Sequence, residues 1–312
     1  MRLRNLLLAL VIITCCFATT YAWNDTGHKV SARIAWDNMT PQARQKVIEI
    51  LFAAPEDSQI RTLFATDPRP VEIRQRDFFS TLGTWADLVR DEKNFPVRYG
   101  KYNHSTWHYS DVYFKQVDGK PVVVPELKPD AENAIERLYV LEKVMLDKSQ
   151  KMPERAVALA WILHIASDIH NPVHDAARVT ELEPQGDKGA NSFDLTPKDS
   201  KNRSNLHSFW DSILTNSYPR TSDCDGDYIT TIANKLTTDY PRTKLEKEIL
   251  PSQFDKWSQQ GYVIASTEVY LSTLKRNETP SAAYKQKTLD ISSRQIALAG
   301  YRMAAIFNQL AQ

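Results

Sequence analysis

Hydrophobic residues recur at helical spacing over most of this chain, and this pattern predicts a mainly helical protein. The predicted helices cover residues 24–37, 41–54, 130–146, 153–170, 205–215, 227–239, 254–274 and 282–310. Proline marks two boundaries, because Thr40-Pro41 has the residue types of a helix start and Asn171-Pro172 those of a helix stop. We therefore expect an all-α fold, which the low glycine content of 9 residues also favours.

The segments between these helices predict one hairpin and several loops. Residues 113–124 enclose Asp118-Gly119, a strong turn signal between two short apolar stretches, and predict a small β-hairpin. Residues 55–72 are polar and rich in proline and predict a loop, whereas the apolar pattern of residues 78–85 is irregular. Residues 180–203 predict a long ordered loop, and such loops in compact domains are often functional.

The amino-terminal 22 residues have the pattern of a secretory signal peptide. Two arginines precede an apolar stretch over residues 6–17, and Thr20-Tyr-Ala22 is a small-x-small cleavage site. The alternative is a retained membrane anchor, although the apolar stretch is short for a bilayer. We expect residues 1–22 to be removed and residues 23–312 to form one domain of an exported protein, secreted or periplasmic.

Charge and cysteine content narrow the possible partners. The formal net charge of the chain is +1, and removal of the leader with its two arginines changes it to −1. A protein this close to neutral has no global field that attracts nucleic acid or anionic lipid, so any attraction for phosphate must be local. Cleavage would also remove Cys15 and Cys16, and Cys224 would then have no cysteine to pair with.

Two short segments each place a histidine and an aspartate four residues apart. His164 and Asp168 form the first pair, His207 and Asp211 the second, and His174 follows just beyond the predicted end of the first helix. On a helix, residues at this spacing project from one face. Imidazole and carboxylate groups suit Zn²⁺, and two such pairs with a third histidine indicate more than one ion.

A histidine on a helix is more often a hydrogen-bonded core residue than a metal ligand. We favour that interpretation for His104 and His170. It does not explain the other histidines and aspartates together, because each buried polar group without a partner costs about 1–3 kcal/mol. Trp161 and Trp210 place the two pairs in strongly apolar surroundings, where so many charged groups require a cation.

Five segments carry a resemblance to a known family. They are Trp23-Asn-Asp-Thr-Gly-His28, Trp85-Ala-Asp87, Trp107-His108-Tyr109-Ser-Asp111, His164-x3-Asp168-x5-His174 and Asn205-Leu-His207-x3-Asp211. In residue type and order they resemble the trinuclear-zinc, single-strand-specific nucleases and 3′-nucleotidases, the family of nucleases S1 and P1. All nine expected ligand positions are filled, over residues 23–211. The implied fold is a compact, multi-helix domain shared with zinc-dependent phospholipase C.

The resemblance implies three zinc ions per chain. It assigns one ion to Asp87, His108, His164 and Asp168, a second to His174, His207 and Asp211, and a third to Trp23, His28 and Asp168. Trp23 would bind through its α-amino and carbonyl groups, and Asp168 would bridge two ions. Because an α-amine is free only after the preceding peptide bond is cut, removal of the leader would complete the third site.

Four further residues have roles by resemblance. Asp111 would orient the attacking water, and the alternative is a surface or capping aspartate. Tyr109 falls where the family stacks a base, and the alternative is a core aromatic. Lys188 and Asn191 are candidate phosphate-side donors in a loop that resembles the family's glycine-rich loop. Ala190 replaces the second glycine there, which leaves the conformation of this loop open.

The implied activity is endonucleolytic hydrolysis of single-stranded DNA and RNA to 5′-phosphoryl products, together with 3′-nucleotidase activity. We expect a monomer without a stable membrane partner. The first alternative is a zinc-dependent phospholipase C, which typically has a wider gap than Trp23 to His28 and a glutamate in place of Asp211. The second is a non-catalytic zinc protein, against which the three-ligand site at His174 argues, since structural zinc sites are fully coordinated.

Overall fold

The structure, a computed structural model, describes residues 23–196, 204–220 and 222–312. The predicted signal peptide and the end of the predicted 180–203 loop lie outside these residues. The described chain is mostly helical with one small sheet, as the apolar pattern predicts. None of its helices is both long enough and apolar enough to cross a membrane.

Thirteen α-helices form the bulk of the described residues. They are α1 Asp25–Asn38, α2 Pro41–Phe52, α3 Val71–Leu82, α4 Trp85–Leu88, α5 Pro96–Tyr102, α6 Ala134–Leu146, α7 Met152–Asp168, α8 Leu206–Asp211, α9 Ile213–Ser217, α10 Asp225–Asp239, α11 Arg242–Leu245, α12 Phe254–Ile264 and α13 Ala282–Phe307. Short 3-10 turns cover Glu56–Ser58, Ile60–Leu63, Ser105–His108, Pro172–His174, Glu246–Glu248 and Asn308–Ala311.

Side-chain caps begin α2 and α13 where the sequence predicts a start, and α6 four residues after its predicted start at residue 130. The Thr40 hydroxyl accepts a hydrogen bond from the Ala43 N–H at 3.1 Å, and Pro41 occupies the first turn of α2. Asn133 caps α6 and Ser281 caps α13 in the same way. Each cap satisfies a backbone N–H that has no partner inside its helix. α7 ends at Asp168, two residues before the boundary that the sequence predicts.

The sequence pattern is wrong at three places. Helix α3 begins inside the predicted 55–72 loop and contains most of the irregular 78–85 stretch, because its aromatic residues pack into the core. The predicted 254–274 helix changes to a wider π-helical turn at Ala265–Val269 and stops there. The 205–215 helix is two short helices, α8 and α9.

A three-stranded sheet packs against the helices. Strands β1 (Val112–Val117) and β2 (Lys120–Val123) form the predicted hairpin, and Asp118 and Gly119 adopt the positive φ angles that its turn requires. A third strand, β3 (Ala176–Arg178), pairs in parallel with β1. Sequence reasoning missed β3, since three residues are too short for a recognisable pattern. This pairing joins the segment after His108 to the segment after His174.

Helix α7 lies at the centre of the molecule. All residues from Ala158 to Asp168 are buried, so the helix is in contact with protein on every side. Helix α1 packs against α7, α3, α10 and α13, which surround the amino-terminal part of the candidate site. Polar residues of α1 and α7 therefore reach the same buried space without exposure to solvent.

We predict that the substitution Gly300→Ala destabilises the protein. A Cβ atom at Gly300 of α13 would lie 2.5 Å from Cγ2 of Ile34 in α1, which is too close for two carbon atoms. Overpacking at such a contact costs about 1–3 kcal/mol, so the denaturant midpoint should fall by a corresponding amount.

The matched control is Gly100→Ala in α5. Gly100 is also helical, but no atom lies within 4 Å of the position of its added Cβ. Alanine should therefore stabilise this site by up to about 1 kcal/mol, because glycine is the weaker helix former. Equal effects of the two substitutions would contradict the close packing of α1 against α13.

Candidate metal centre

Asp168 is the point at which three histidines meet. His164 lies one turn earlier on α7, and its Nε2 is 3.2 Å from Oδ2 of Asp168. His108 places Nδ1 2.9 Å from the same oxygen, and His28 places Nε2 3.3 Å from Oδ1. All four side chains are fully or almost fully buried. The four-residue spacing of the sequence therefore becomes a shared face, as predicted.

Asp87 completes this part of the centre. Its Oδ1 is 3.8 Å from Nε2 of His164, and its Oδ2 is 3.9 Å from Nε2 of His28. The rings of His28 and His164 are stacked with centroids 4.0 Å apart. Two overlapping groups can thus hold an ion, His28 with Asp87 and His164, and His108 with His164 and Asp168.

A further group lies beside the first two. Asp211 places Oδ2 3.3 Å from Nε2 of His207 and Oδ1 3.8 Å from Nε2 of His174. The first of these contacts again joins residues four apart on one helix, α8. Asn171 donates a hydrogen bond from Nδ2 to Oδ1 of Asp211 at 2.7 Å, which fixes the carboxylate. This group has the composition that the sequence predicts.

Backbone carbonyls orient three of the imidazoles. The Nδ1 atoms of His164, His174 and His207 lie 2.6–2.8 Å from carbonyl oxygens, so in each ring Nδ1 carries the proton. The acceptors are the carbonyls of Gly83, His108 and Gly189, in the same order. Each Nε2 then presents a lone pair, and a fixed tautomer is typical of histidines that bind metal.

Several of these ligand atoms have no hydrogen-bond partner. The buried, unpartnered atoms include Nε2 of His28, His174 and His207, and one carboxylate oxygen each of Asp87 and Asp168. Orphaned acceptors at this density are costly in a protein interior. Cations bound in the three groups of candidate ligands would satisfy these atoms. The donor set of imidazole nitrogens and carboxylate oxygens therefore fits a zinc-type metal centre.

The electrostatics support the same conclusion. Burial raises the pKa of Asp168 to about 8, that of Asp211 to about 7 and that of Asp87 to about 6. Burial also lowers the pKa of each histidine in the centre, which favours neutral imidazoles. Without a cation the interior disfavours the charged carboxylates. Positive charge at this place would restore their ionised form and bind them as ligands.

Trp23 lies at the edge of this centre. Its buried indole donates a hydrogen bond from Nε1 to the carbonyl of Ser167, next to Asp168, at 3.0 Å. The following N–H, of Asn24, donates to the carbonyl of Asp211 at 3.1 Å. The first described residues are therefore attached to both parts of the centre. Binding of metal through the α-amino group of Trp23 stays a prediction.

Tyr109 and Asp111 follow the metal-binding segment of His108. The ring of Tyr109 stacks on the imidazole of His174, with centroids 4.7 Å apart and an interplanar angle of 18°. Asp111 has a positive φ of 42°, and its buried Oδ1 has no hydrogen-bond partner. Burial raises the pKa of Asp111 to about 7, and the charges of Asp130 and Asp187 add to the increase. The structure thus places an acceptor with a raised pKa near the centre.

The loop around Gly189 supports His207. Lys188, Gly189 and Ala190 all have positive φ angles, so Ala190 adopts the backbone conformation of a glycine despite its side chain. Asp187 holds the loop by accepting hydrogen bonds from the N–H groups of Arg178 and Ala190. Its shape places the carbonyl of Gly189 against His207.

The two candidate donors of this loop differ in their surroundings. Lys188 is exposed. Asn191 is partly buried and donates a hydrogen bond from Nδ2 to the carbonyl of Lys188 at 2.8 Å, while its Oδ1 is buried without a partner. The amide of Asn191 thus holds the loop closed. The role of either residue as a phosphate-side donor stays a prediction.

Two residues of the centre were missed by the sequence analysis. They are Asn171, which fixes Asp211, and Arg90, whose guanidinium lies 3.6 Å from Oδ1 of Asp87. The signal for Arg90 was its position one helical turn after a predicted ligand. No sequence signal marked Asn171 as part of the centre, because an asparagine before a proline is also typical of a simple helix end.

Among the described residues, neither His104 nor His170 belongs to a group that could hold a metal ion. His104 stacks on Trp107 with ring centroids 3.8 Å apart. His170 lies between the carbonyl of Ala166 and the guanidinium of Arg302, at 2.6 and 2.7 Å. His104 is thus held by ring packing and His170 by hydrogen bonds.

The fold and the site define a mainly helical protein whose buried histidines and aspartates form groups that could bind metal. The model of the S1/P1 Nuclease family matches residues 23–312. The chain therefore belongs to the S1/P1 nuclease family, whose members are generally metal-dependent, and it is a nuclease.

Two characterised proteins are similar to it over nearly their whole lengths. Endonuclease 1 of Arabidopsis thaliana is 24% identical over 321 residues, which cover 98% of this chain and 93% of the plant protein. Nuclease S1 of Aspergillus oryzae is 23% identical over 312 residues, which cover 94% of this chain and 93% of the fungal protein. Both are named as nucleases, in agreement with the family assignment.

We predict that Gly189→Ala lowers the metal content of the purified protein. A Cβ atom at Gly189 would lie 2.2 Å from the carbonyl oxygen of Val173, and its φ of +59° strains any other residue. Movement of the loop would withdraw the carbonyl that orients His207. Metal analysis after dialysis should therefore show a loss relative to the wild-type protein.

The control for this loop is Gly119→Ala in the β1–β2 turn. Gly119 also has a positive φ, of +74°, but no atom lies within 4 Å of its added Cβ. This variant shares the backbone strain without the clash and without a contact to the centre. It should retain the wild-type metal content. Equal metal loss in both variants would mean that strain alone, and not the position of His207, is responsible.

Proposed function

We propose that the protein is a zinc-dependent endonuclease that hydrolyses single-stranded DNA and RNA to 5′-phosphoryl products and also acts as a 3′-nucleotidase. One observation carries this proposal. Eight buried histidine and aspartate side chains from separate chain segments converge with several of their ligand atoms unpartnered. Membership of a nuclease family supplies the reaction class.

We infer three zinc ions per chain. The convergence forms three groups of candidate ligands, of which two share His164. Nitrogen and carboxylate donors without cysteine are typical of catalytic zinc sites. In the proposed assignment Asp168 bridges two ions, which fits its contacts with His28, His108 and His164. Trp23 completes one site through its backbone groups.

The residues around the metals then have separate tasks. When bound, zinc polarises a phosphoryl oxygen and makes water nucleophilic at neutral pH. Asp111 accepts a hydrogen bond from the attacking water and orients it, since its buried Oδ1 lacks another partner. Lys188 and Asn191 hold the phosphate from the loop beside His207.

The position of Tyr109 accounts for the proposed preference for single-stranded over duplex substrates. Its ring stacks on His174, so it forms part of the wall of the centre. A base that stacks on such a wall must first leave its own stack, which costs little in a single strand and much in a duplex. Stacking also tolerates every base, which agrees with a nuclease that acts on both DNA and RNA.

The main rival is a zinc-dependent phospholipase C with a related centre. The five-residue step from Trp23 to His28 and the aspartate at position 211 favour the nuclease. We further propose that the protein is exported, because residues 1–22 have the pattern of a signal peptide.

The substrate prediction is tested with four substrates, single-stranded DNA, RNA, a 3′-nucleotide and phosphatidylcholine. The protein should cleave the first three, and it should cut duplex DNA much more slowly than single strands. Tyr109→Ala should weaken binding of a single-stranded oligonucleotide by about 1–3 kcal/mol, the usual contribution of one stacked base. Its metal content should not change.

Tyr139→Ala is the matched control for Tyr109. Tyr139 is 43% exposed on α6 and is bonded to Asp255, outside the metal centre. This variant should bind oligonucleotides like the wild-type protein. If the protein hydrolyses phosphatidylcholine efficiently and leaves oligonucleotides intact, the phospholipase C interpretation replaces the proposed nuclease activity.

The metal prediction concerns the amino terminus and Asp168. Protein that begins at Trp23 should contain about three zinc ions, and Asp168→Asn should lose more zinc than Asp111→Asn. The reason is that Asp168 contacts three candidate ligands directly, whereas Asp111 is proposed to act only through water. Amino-terminal sequencing and elemental analysis measure both quantities.

Asp111→Asn serves as the control for Asp168→Asn, because both variants change an aspartate carboxylate to an amide. Asp111 is proposed not to bind metal directly. Asp111→Asn should therefore keep its zinc and lose activity. Full zinc content in Asp168→Asn would contradict the bridging role of this residue. Full zinc content and activity in protein that retains its leader would contradict the role of the Trp23 α-amine.

A further inference from the structure

A cavity of about 770 Å³ opens beside Asp87. Its walls include Arg90, Lys93, Phe95 and Arg98, which come from the segment after α4 and from α5. The volume lies within the range of small-molecule sites. The predicted stacking residue Tyr109 contacts His174 instead, in the other group of ligands. The cavity is therefore a separate space that shares Asp87 with the centre.

Phe95 and Arg98 give this cavity an aromatic surface beside a cation. The guanidinium carbon of Arg98 lies 4.2 Å from the centroid of the Phe95 ring. Phe95 is 36% exposed, so part of its ring is accessible from the cavity that it lines. An exposed ring supported by a guanidinium is the arrangement that stacks nucleic-acid bases.

Arg98 carries a buried charge that no carboxylate of the described residues contacts directly. It is only 6% exposed, its Nη atoms donate to the carbonyl of Leu88 and to Oε1 of Gln59, and its Nε is buried without a partner. No carboxylate of the described residues lies within 4 Å of its guanidinium, which has only neutral acceptors. Buried cations are normally compensated by an anion.

Asp91 attracts Arg98 electrostatically, but the acids that line the cavity accept no hydrogen bond from its guanidinium. The carboxylate of Asp91 accepts hydrogen bonds from the backbone N–H and the Nδ2 of Asn94. Glu92 and Lys93 are both exposed, so their opposite charges are screened by solvent. An anionic ligand that enters the cavity would meet the charge of Arg98 and, at its outer part, the charge of Lys93.

We propose that this cavity is a subsite for the nucleotide next to the cleaved phosphodiester, with its base stacked on Phe95 and its backbone phosphate compensated by Arg98 and Lys93. The proposal rests on the proposed function. A polynucleotide extends in both directions from the cleaved bond, so a nuclease can bind a nucleotide on each side. Tyr109 serves one side, and the cavity at Asp87 serves the other.

The test compares Phe95→Ala with the wild-type protein on two substrates. A single-stranded oligonucleotide fills both sides of the centre, whereas a 3′-nucleotide has one nucleoside and fills only one. For the oligonucleotide, KM should rise at least about fivefold, the low end of what one stacked base contributes. For the 3′-nucleotide, KM should stay unchanged. Phe95→Tyr keeps the ring and should restore the wild-type KM.

The control variant is Val97→Ala, because Val97 is 68% exposed in the same helix and does not line the cavity. It should leave KM unchanged for both substrates. An unchanged KM of Phe95→Ala for the oligonucleotide overturns the proposal, and so does an equal change for both substrates. All variants are compared at equal metal content.

Failure of the proposed function has a different result. Wild-type protein would then cleave no oligonucleotide at all, before any variant is made. In that case the subsite is tested by measuring the affinity of each variant for a fluorescent, cleavage-resistant phosphorothioate oligonucleotide. Weaker binding by Phe95→Ala than by Val97→Ala supports the subsite, and equal binding overturns it.

Discussion

The structure depends on the compensation of charge around Asp168. This carboxylate is fully buried at the end of a central helix, and histidines from three separate segments lie 2.9–3.3 Å from its oxygens. Burial raises its pKa to about 8, so the protein interior alone disfavours the ionised form. Bound cations would reverse that preference, and metal binding at such a centre would then be coupled to folding.

Rigid backbone around the ligands makes this coupling specific. Three imidazoles are held by carbonyl groups and not by side chains, and one of these carbonyls belongs to Gly189 in a loop of positive φ angles. Asp187 and Asn171 stabilise the loop and the neighbouring ligand Asp211 through hydrogen bonds. Such outer contacts decide which nitrogen of each ring is free to bind.

The surroundings of the centre relate it to a polynucleotide substrate. One side carries Tyr109 against His174, and another opens through Asp87 into a cavity with Phe95 and Arg98. The chain as a whole is almost neutral, so its attraction for phosphate has to be local. This arrangement agrees with membership of the S1/P1 nuclease family.

The sequence by itself determined the helical class, the hairpin and the set of candidate ligands. Helical periodicity and the four-residue spacing of His164 and Asp168 are local, so they can be read from neighbouring residues. Helix α3, strand β3 and the role of Asn171 were decided only by tertiary structure, because each depends on a partner far away in the chain. The cavity beside Asp87 was likewise decided only by tertiary structure. Its cation and its ring become a possible binding surface only when α4 and α5 are packed next to the centre.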